Sequence, residues 1–197
     1  YTLTDDDRTV IGNTTPKFSG GFGLNATFKG FDVSAFFNFM YDFDVFNANK
    51  VMMTTWASNN YNNFSMDISA AKRWRNFDDM GNEIRYSPEI LAEFNKNATM
   101  WNPTSIGRPI AMSYAVEDGS FLRLNTATIG YTLPRAWTNK VGLSRVRFYA
   151  SGYNLFTITG YSGYDPEVDI ATGLTPNIDN NRYPRSRTYT FGVQLTF

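Results

Sequence analysis

The chain of 197 residues carries 18 basic and 18 acidic side chains, no cysteine and no histidine, and is 17% aromatic. The missing cysteine excludes a disulfide framework or a thiolate metal site, and the missing histidine removes the usual general base and the commonest metal ligand. Balanced charge without a Lys/Arg stripe gives no footprint for nucleic acid, and no apolar run reaches the roughly 18 residues a spanning helix needs.

Along the chain, Asp5-Asp6-Asp7 reads as a solvated loop. Phe18, Phe22, Leu24, Ala26 and Phe28 then form the apolar side of a first strand, against Ser19, Gly21, Gly23, Asn25, Thr27 and Lys29, because successive strand side chains face opposite sides of a sheet. The parity restarts after Gly30, so a tight turn is expected around Lys29-Gly30-Phe31-Asp32, where glycine takes the positive φ of hairpin turns. A second, long strand is expected to run through Phe31, Val33, Ala35, Phe37, Phe39, Tyr41, Phe43 and Val45 on one face. The stretch from 47 to 120 differs in composition, rich in Asn, Met and Trp, and Ser87 to Phe94 reads as a short helix with an early proline. A third strand follows from Phe121 to Leu133, closed by Pro134, and a fourth from Val146 to Thr159. The fifth, Thr188 to Phe197, alternates without error: Tyr189, Phe191, Val193, Leu195 and Phe197 on one side, Thr188, Thr190, Gly192, Gln194 and Thr196 on the other.

This pattern predicts an all-β chain, and specifically a transmembrane antiparallel β-barrel. A strand of about ten residues with an apolar side toward lipid and a small polar side toward the lumen spans an outer membrane. The connections run to one or two residues, about 70, about a dozen and nearly 30, the alternation of short periplasmic turns with long extracellular loops. The segments 47–120 and 160–187 are therefore expected to be extracellular loops, with Phe197 on the periplasmic side. Tyr1 is not an initiator and no signal segment follows it. Such barrels start at about eight strands, and open edges in lipid leave backbone groups unpaired, so five strands are expected to be the C-terminal part of a larger barrel, with 1–197 all belonging to it.

Several ordered motifs carry a resemblance. Asp118-Gly119-Ser120-Phe121-Leu122-Arg123-Leu124-Asn125, Gly130-Tyr131-Thr132-Leu133-Pro134, Ser151-Gly152-Tyr153-Asn154-Leu155-Phe156-Thr157 and Gly163-Tyr164-Asp165-Pro166-Glu167-Val168 resemble the C-terminal end of SusC/RagA-type TonB-linked outer-membrane proteins of Bacteroidetes. Upstream, Asp7-Arg8-Thr9-Val10-Ile11-Gly12-Asn13, Pro16-Lys17-Phe18 and Lys29-Gly30-Phe31-Asp32 are similar to the same family in the same order. The resemblance implies the last five strands of a barrel of about 22, a plug domain outside this chain, and a SusD-like surface lipoprotein as partner. It implies import of oligosaccharides, or in some members peptides, energised by the TonB complex through an N-terminal region upstream. No cofactor is implied. The alternatives are a passive porin or adhesin barrel, or a soluble carbohydrate-binding β-sandwich.

Trp56, Trp74 and Trp101 lie in the long segment, where exposed aromatic faces can stack on sugar rings or receive peptide side chains, or else pack the segment's own small core. Arg73 and Arg75, with Arg182 and Arg185, can meet an acidic substrate or lipopolysaccharide phosphates, or pin loops. Asp165, Glu167 and Asp169 alternate as calcium ligands can, but without an EF-hand's glycine and acidic spacing, so a loop turn is the competing reading and no metal is expected. Arg123 and Arg147 are expected at the lumen or rim, since a mid-depth charge facing lipid costs about 2–4 kcal/mol. Asn25, Asn38 and Tyr149 fall on the lumen side by parity. Asp78 and Asp79 are adjacent and diverge on an extended chain, so with no histidine an enzyme is not expected. Tyr189, Phe191 and Phe197 resemble the terminal signal read by the barrel-assembly machinery, whose physical basis is an unpaired strand edge.

Overall fold

The computed structural model describes residues 4–56, 63–104, 110–168 and 176–197. In chain order the elements are β1 (Phe18–Phe28), β2 (Phe31–Tyr41), β3 (Asp44–Asn47), α1 (Ala48–Met52), α2 (Pro88–Asn95), β4 (Val116–Asp118), β5 (Phe121–Thr132), α3 (Arg135–Thr138), β6 (Arg145–Thr159), β7 (Ile178–Asp179) and β8 (Thr188–Thr196). None of the described helices is long and apolar enough to cross a membrane. The chain divides into two compact units, one of Tyr1–Val45, Glu117–Ile178 and Arg182–Phe197, the other of Phe46–Val116 and Asp179–Asn181.

The first unit is an antiparallel sheet in the order β1-β2-β5-β6-β8, so each of the five expected strands is paired with the next. The β1–β2 turn has two residues between the Phe28–Phe31 pair, Lys29 with φ 47° and Gly30 with φ 88°. Positive φ at both positions matches the right-handed twist of the flanking strands. Gly30 also lies against β5: a Cβ there would stand 2.8 Å from the Thr132 carbonyl oxygen. Short β3, β4 and β7 pair in the order β4-β3-β7.

Register makes the apolar side continuous across the sheet. Ala26, Val33, Ile129, Ala150 and Phe191 form one row, and Phe28, Phe31, Tyr131, Phe148 and Val193 the next. Phe22 stacks on Phe37 with ring centroids 5.0 Å apart, and Phe31 meets Tyr131 at 4.5 Å. The parity set Phe22, Leu24, Phe37, Phe39, Ile129, Phe148, Val193 and Leu195 shares this face. A water-soluble protein rarely exposes a contiguous apolar patch of more than a few hundred Å², and this face covers five strands.

The opposite face is polar and internally bonded. Arg147 on β6 donates from Nε (2.9 Å) and Nη2 (2.5 Å) to the two carboxylate oxygens of Asp32 on β2, reaching across β5 between them. It passes over Gly130, where a Cβ would lie 2.4 Å from the guanidinium and 2.6 Å from the carboxylate. Glycine is thus the residue that lets this pair close. Thr128 and Ser151 hydroxyls bond each other at 2.8 Å on the same face.

Two local departures from strict alternation matter. The expected long second strand ends at Tyr41 rather than running on through Val45: Asp42 takes φ 59°, which turns the chain, and its N–H donates to Ser120 Oγ at 2.9 Å. Phe43 and Val45 therefore leave the apolar row and are buried with Phe121, Tyr161 and Val168, Met40 packing against them. The second departure is at Asn125. The registers on both sides of β5 shift there, with Phe36 opposite Thr126 but Phe37 opposite Leu124. This bulge keeps Leu122 and Leu124 on the apolar face and turns Phe121 and Arg123 to the other.

Substituting Val193 by Arg, in the middle of the apolar rows, is expected to cost about 2–4 kcal/mol of folded barrel if that face meets hydrocarbon. Thr190→Arg, on the polar face of the same strand, is expected to be tolerated. Heat-modifiable mobility of the membrane fraction reads both, and equal tolerance would remove the lipid assignment.

Candidate functional site

The second unit is ordered by isolated backbone bridges and by single polar side chains. Arg73 and Met100 form a parallel bridge, with Trp74 N–H donating to Met100 O at 2.8 Å and Met100 N–H to Lys72 O at 2.9 Å. Phe77 and Glu83 form an antiparallel bridge closed by a turn at Gly81, φ 87°. Asp78 organises that turn, accepting from Met80 N–H at 2.9 Å, Asn82 N–H at 2.8 Å and Asn82 Nδ2 at 2.9 Å. The Asn82 side chain and these backbone donors hold the Asp78 carboxyl below the usual carboxylate range. Trp56 N–H donates to Pro103 O at 2.8 Å, tying a third piece of chain to the other two.

The expected helix forms over Pro88–Asn95 with proline in its first turn. Asn95 at its end is buried and clamps the cationic stretch: Oδ1 accepts from Arg75 N–H at 2.6 Å, while Nδ2 donates to Arg75 O and Leu91 O, both at 2.9 Å. The Arg75 guanidinium lies 5.4 Å from the Phe94 ring centroid and donates to Asp79 Oδ1 at 2.6 Å. Charge, aromatic support and backbone position are therefore set together.

These pieces enclose a cavity of about 410 Å³ whose walls include Trp56, Phe64, Arg73, Trp74, Arg75 and Phe77. Four of the five sequence candidates, Trp56, Arg73, Trp74 and Arg75, come together in it. Trp56 is 45% and Trp74 41% exposed, and Trp56 packs on Phe64 at 5.8 Å. Trp101 lies elsewhere: its indole Nε1 donates to Thr54 O at 3.0 Å and its ring meets Tyr114 edge-on at 5.1 Å. Asn95, Phe64 and Phe77 were not legible as site residues, because the sequence of an irregular segment carries no periodicity from which to read which side chains converge.

In the first unit a second polar cluster forms around Arg123, which is 2% exposed. Its Nη2 donates to Asp165 Oδ1, its Nε faces Glu167 Oε2 at 3.7 Å, and Arg185 Nη2 holds Glu167 Oε1 at 2.7 Å. Burial alone opposes ionisation of Asp165, yet the hydrogen bonds from Arg123 and from Glu167 N–H, with the Arg123 charge, outweigh it and leave its pKa below the usual range. Asp165 and Glu167, weak calcium candidates in the sequence, here serve as arginine partners, and Asp169 lies outside the described residues. Tyr189, Phe191 and Phe197 are exposed, with Tyr189 and Phe191 in the apolar rows.

No protein-family model matches the chain. The TonB-dependent receptor P3 of Formosa agariphila is 32% identical over 201 residues, covering 99% of this chain and 18% of that protein. The TonB-dependent receptor SusC of Bacteroides thetaiotaomicron is 32% identical over 164 residues, 76% of this chain and 15% of SusC. Among solved structures, the RagAB peptide transporter superposes over 100% of this chain and 19% of its own with TM-score 0.74 and 26% identity. The closed-closed state of the RagAB peptide importer gives 0.73. The chain thus spans less than a fifth of the length of the relatives it matches.

Removing Arg123 leaves the largely buried Asp165 carboxylate without its guanidinium partner and Glu167 with Arg185 alone, and breaking a buried pair costs about 3–5 kcal/mol. Arg123→Ala is expected to release residues 161–168 and 182–187 to protease and amide exchange. Because the folded pKa of Asp165 is depressed, its stabilising contribution is complete above the unfolded value of about 3.9 and is lost as pH falls through the lower folded value. Protection of the Glu167 amide, its exchange relative to an unstructured amide at the same pH, should therefore hold steady from neutral pH down to about 4 and be lost below that; protection indifferent to both changes would remove the anchoring role.

Proposed function

This chain is homologous to the SusC/RagA-type TonB-dependent receptors, and on that premise we propose that it forms the C-terminal strands of a closed outer-membrane barrel of about 22 strands that imports nutrients with TonB-derived energy. The observation that carries the reading is the apolar face running unbroken in register across all five strands, backed by a bonded polar face. On this reading the apolar face meets lipid and the polar face lines the lumen. The segments 47–120 and 160–187 are extracellular loops. The two-residue turn at Lys29-Gly30 and the strand end at Phe197 lie toward the periplasm.

The partners follow from the same reading: a SusD-like surface lipoprotein over the extracellular side, the TonB complex acting on a plug outside this chain, and the barrel-assembly machinery during insertion. The cargo is an oligosaccharide or a peptide. Trp56, Trp74, Arg73 and Arg75 are the residues proposed to meet it, since they line one cavity. Transport then depends on enclosing the ligand between loops and lipoprotein before the plug opens the lumen.

Uptake of labelled oligosaccharides and peptides into cells carrying the full-length protein is expected to stop when a protonophore collapses the inner-membrane gradient. Uptake that continues unchanged would favour the passive porin. Deleting Phe197 is expected to lower outer-membrane abundance much more than transport per inserted molecule, and normal abundance at low expression would show that this residue is not an assembly determinant.

A further inference from the structure

The cavity in the second unit combines three features that are individually ordinary. It has exposed indole planes at Trp56 and Trp74, polar side chains at Asn76, Asn102 and Thr104, and the guanidinium of Arg73. The Arg73 side chain has no hydrogen-bond, ionic or ring partner among the described residues, although it is half-buried. Its neighbours are committed: Arg75 to Asp79 and Phe94, and Asp78 to its own turn. Asn102 uses its Oδ1 on Thr104 N–H at 3.0 Å and Thr104 Oγ1 at 2.7 Å.

We propose that this cavity is a subsite for an anionic sugar residue, a uronate or sulfated ring, with the ring on an indole plane and its acid group on Arg73. Flat aromatic faces suit the C–H surface of a pyranose, and amide and hydroxyl groups around them suit its equatorial hydroxyls. The volume falls in the range of about 300–1,000 Å³ typical of small-ligand sites. A planar guanidinium matches a carboxylate or sulfate with two parallel hydrogen bonds. An acidic peptide is the weaker fit. Extended peptides gain affinity by adding a strand to a free edge, and here the backbone donors of Trp56, Trp74 and Asp78 are already bonded to Pro103, Met100 and Asn82.

The proposal names the cargo class for the import reading and rests on it for its biological sense, but binding can be measured apart from transport. Purified full-length protein in detergent is titrated with an oligogalacturonate, a neutral gluco-oligosaccharide of equal length and an oligoglutamate of equal charge. The expected result is acidic saccharide bound about tenfold or more tightly than either competitor, the size of one charge-assisted bidentate contact, weakening as salt is raised. Arg73→Gln is expected to abolish the preference for the acidic over the neutral sugar, Arg73→Lys to keep part of it, and Lys96→Gln, a charge loss outside the cavity, to keep all of it. Equal affinity for acidic and neutral sugars, no binding of either, or an unchanged preference in Arg73→Gln would overturn the proposal. Oligoglutamate binding as tightly as the saccharide would assign the cavity to acidic peptides instead. If Arg73→Gln does not insert, the ligand panel and salt series on the unaltered protein still decide. Protonophore-sensitive uptake of other cargo alongside a negative panel would leave the import reading standing while removing this one.

Discussion

A strand that alternated strictly through β5 would send Arg123 to the same side as Ala127, Ile129 and Tyr131, into the apolar face. In hydrocarbon at mid-depth that placement costs about 2–4 kcal/mol. The extra residue at Asn125 shifts the register of β5 against β2, while β6 in turn carries one extra residue against β5 between Tyr153 and Phe156, and the shift at Asn125 moves Arg123 to the polar face. There it is buried against Asp165 and Glu167, and Glu167 is held in turn by Arg185. Much of the first unit follows from that one shift. It allows a fully buried cation to be paired, it anchors the chain beyond β6 to the sheet, and it leaves the apolar rows uninterrupted. The turn at Asp42 acts in concert, removing Phe43 and Val45 from the lipid-type row and supplying them to the small core beside Phe121.

The two units hold their shape by different means. In the sheet, four antiparallel ladders satisfy the backbone, and side chains are free to specialise by face. In the second unit few backbone bonds are repeated, and single polar side chains carry the load. Asn95 fixes both backbone groups of Arg75, Asp78 closes its own turn, and the Trp101 indole is bonded to Thr54. Polar clamps of this kind are directional, so they can hold an indole plane and a guanidinium at one wall without a large apolar core. That suits the recognition role proposed for this segment.

Solved RagAB structures in the closed-closed and open-open states both resemble this chain over its full length, with TM-scores of 0.73 and 0.70. The ladder constrains the strands, while long connections tolerate change because the cost of loop closure grows only slowly with length.

The amino-acid pattern by itself determined the five strands, their apolar face, the short turn at Gly30 and the helix after Ser87, because period-two alternation and turn chemistry are local properties. It also nominated Trp56, Arg73, Trp74 and Arg75 by composition, though without a reason to separate them from Trp101. Only the tertiary structure decided that those four share a cavity while Trp101 packs inward, that Asp165 and Glu167 meet Arg123, and that Phe43 and Val45 leave the strand. Each of those outcomes depends on a contact between residues far apart in the chain or on a local break in the alternation, at the bulge of Asn125 or at the positive φ of Asp42. A periodic reading averages such positions away, and only the paired backbone of neighbouring strands fixes where the period breaks.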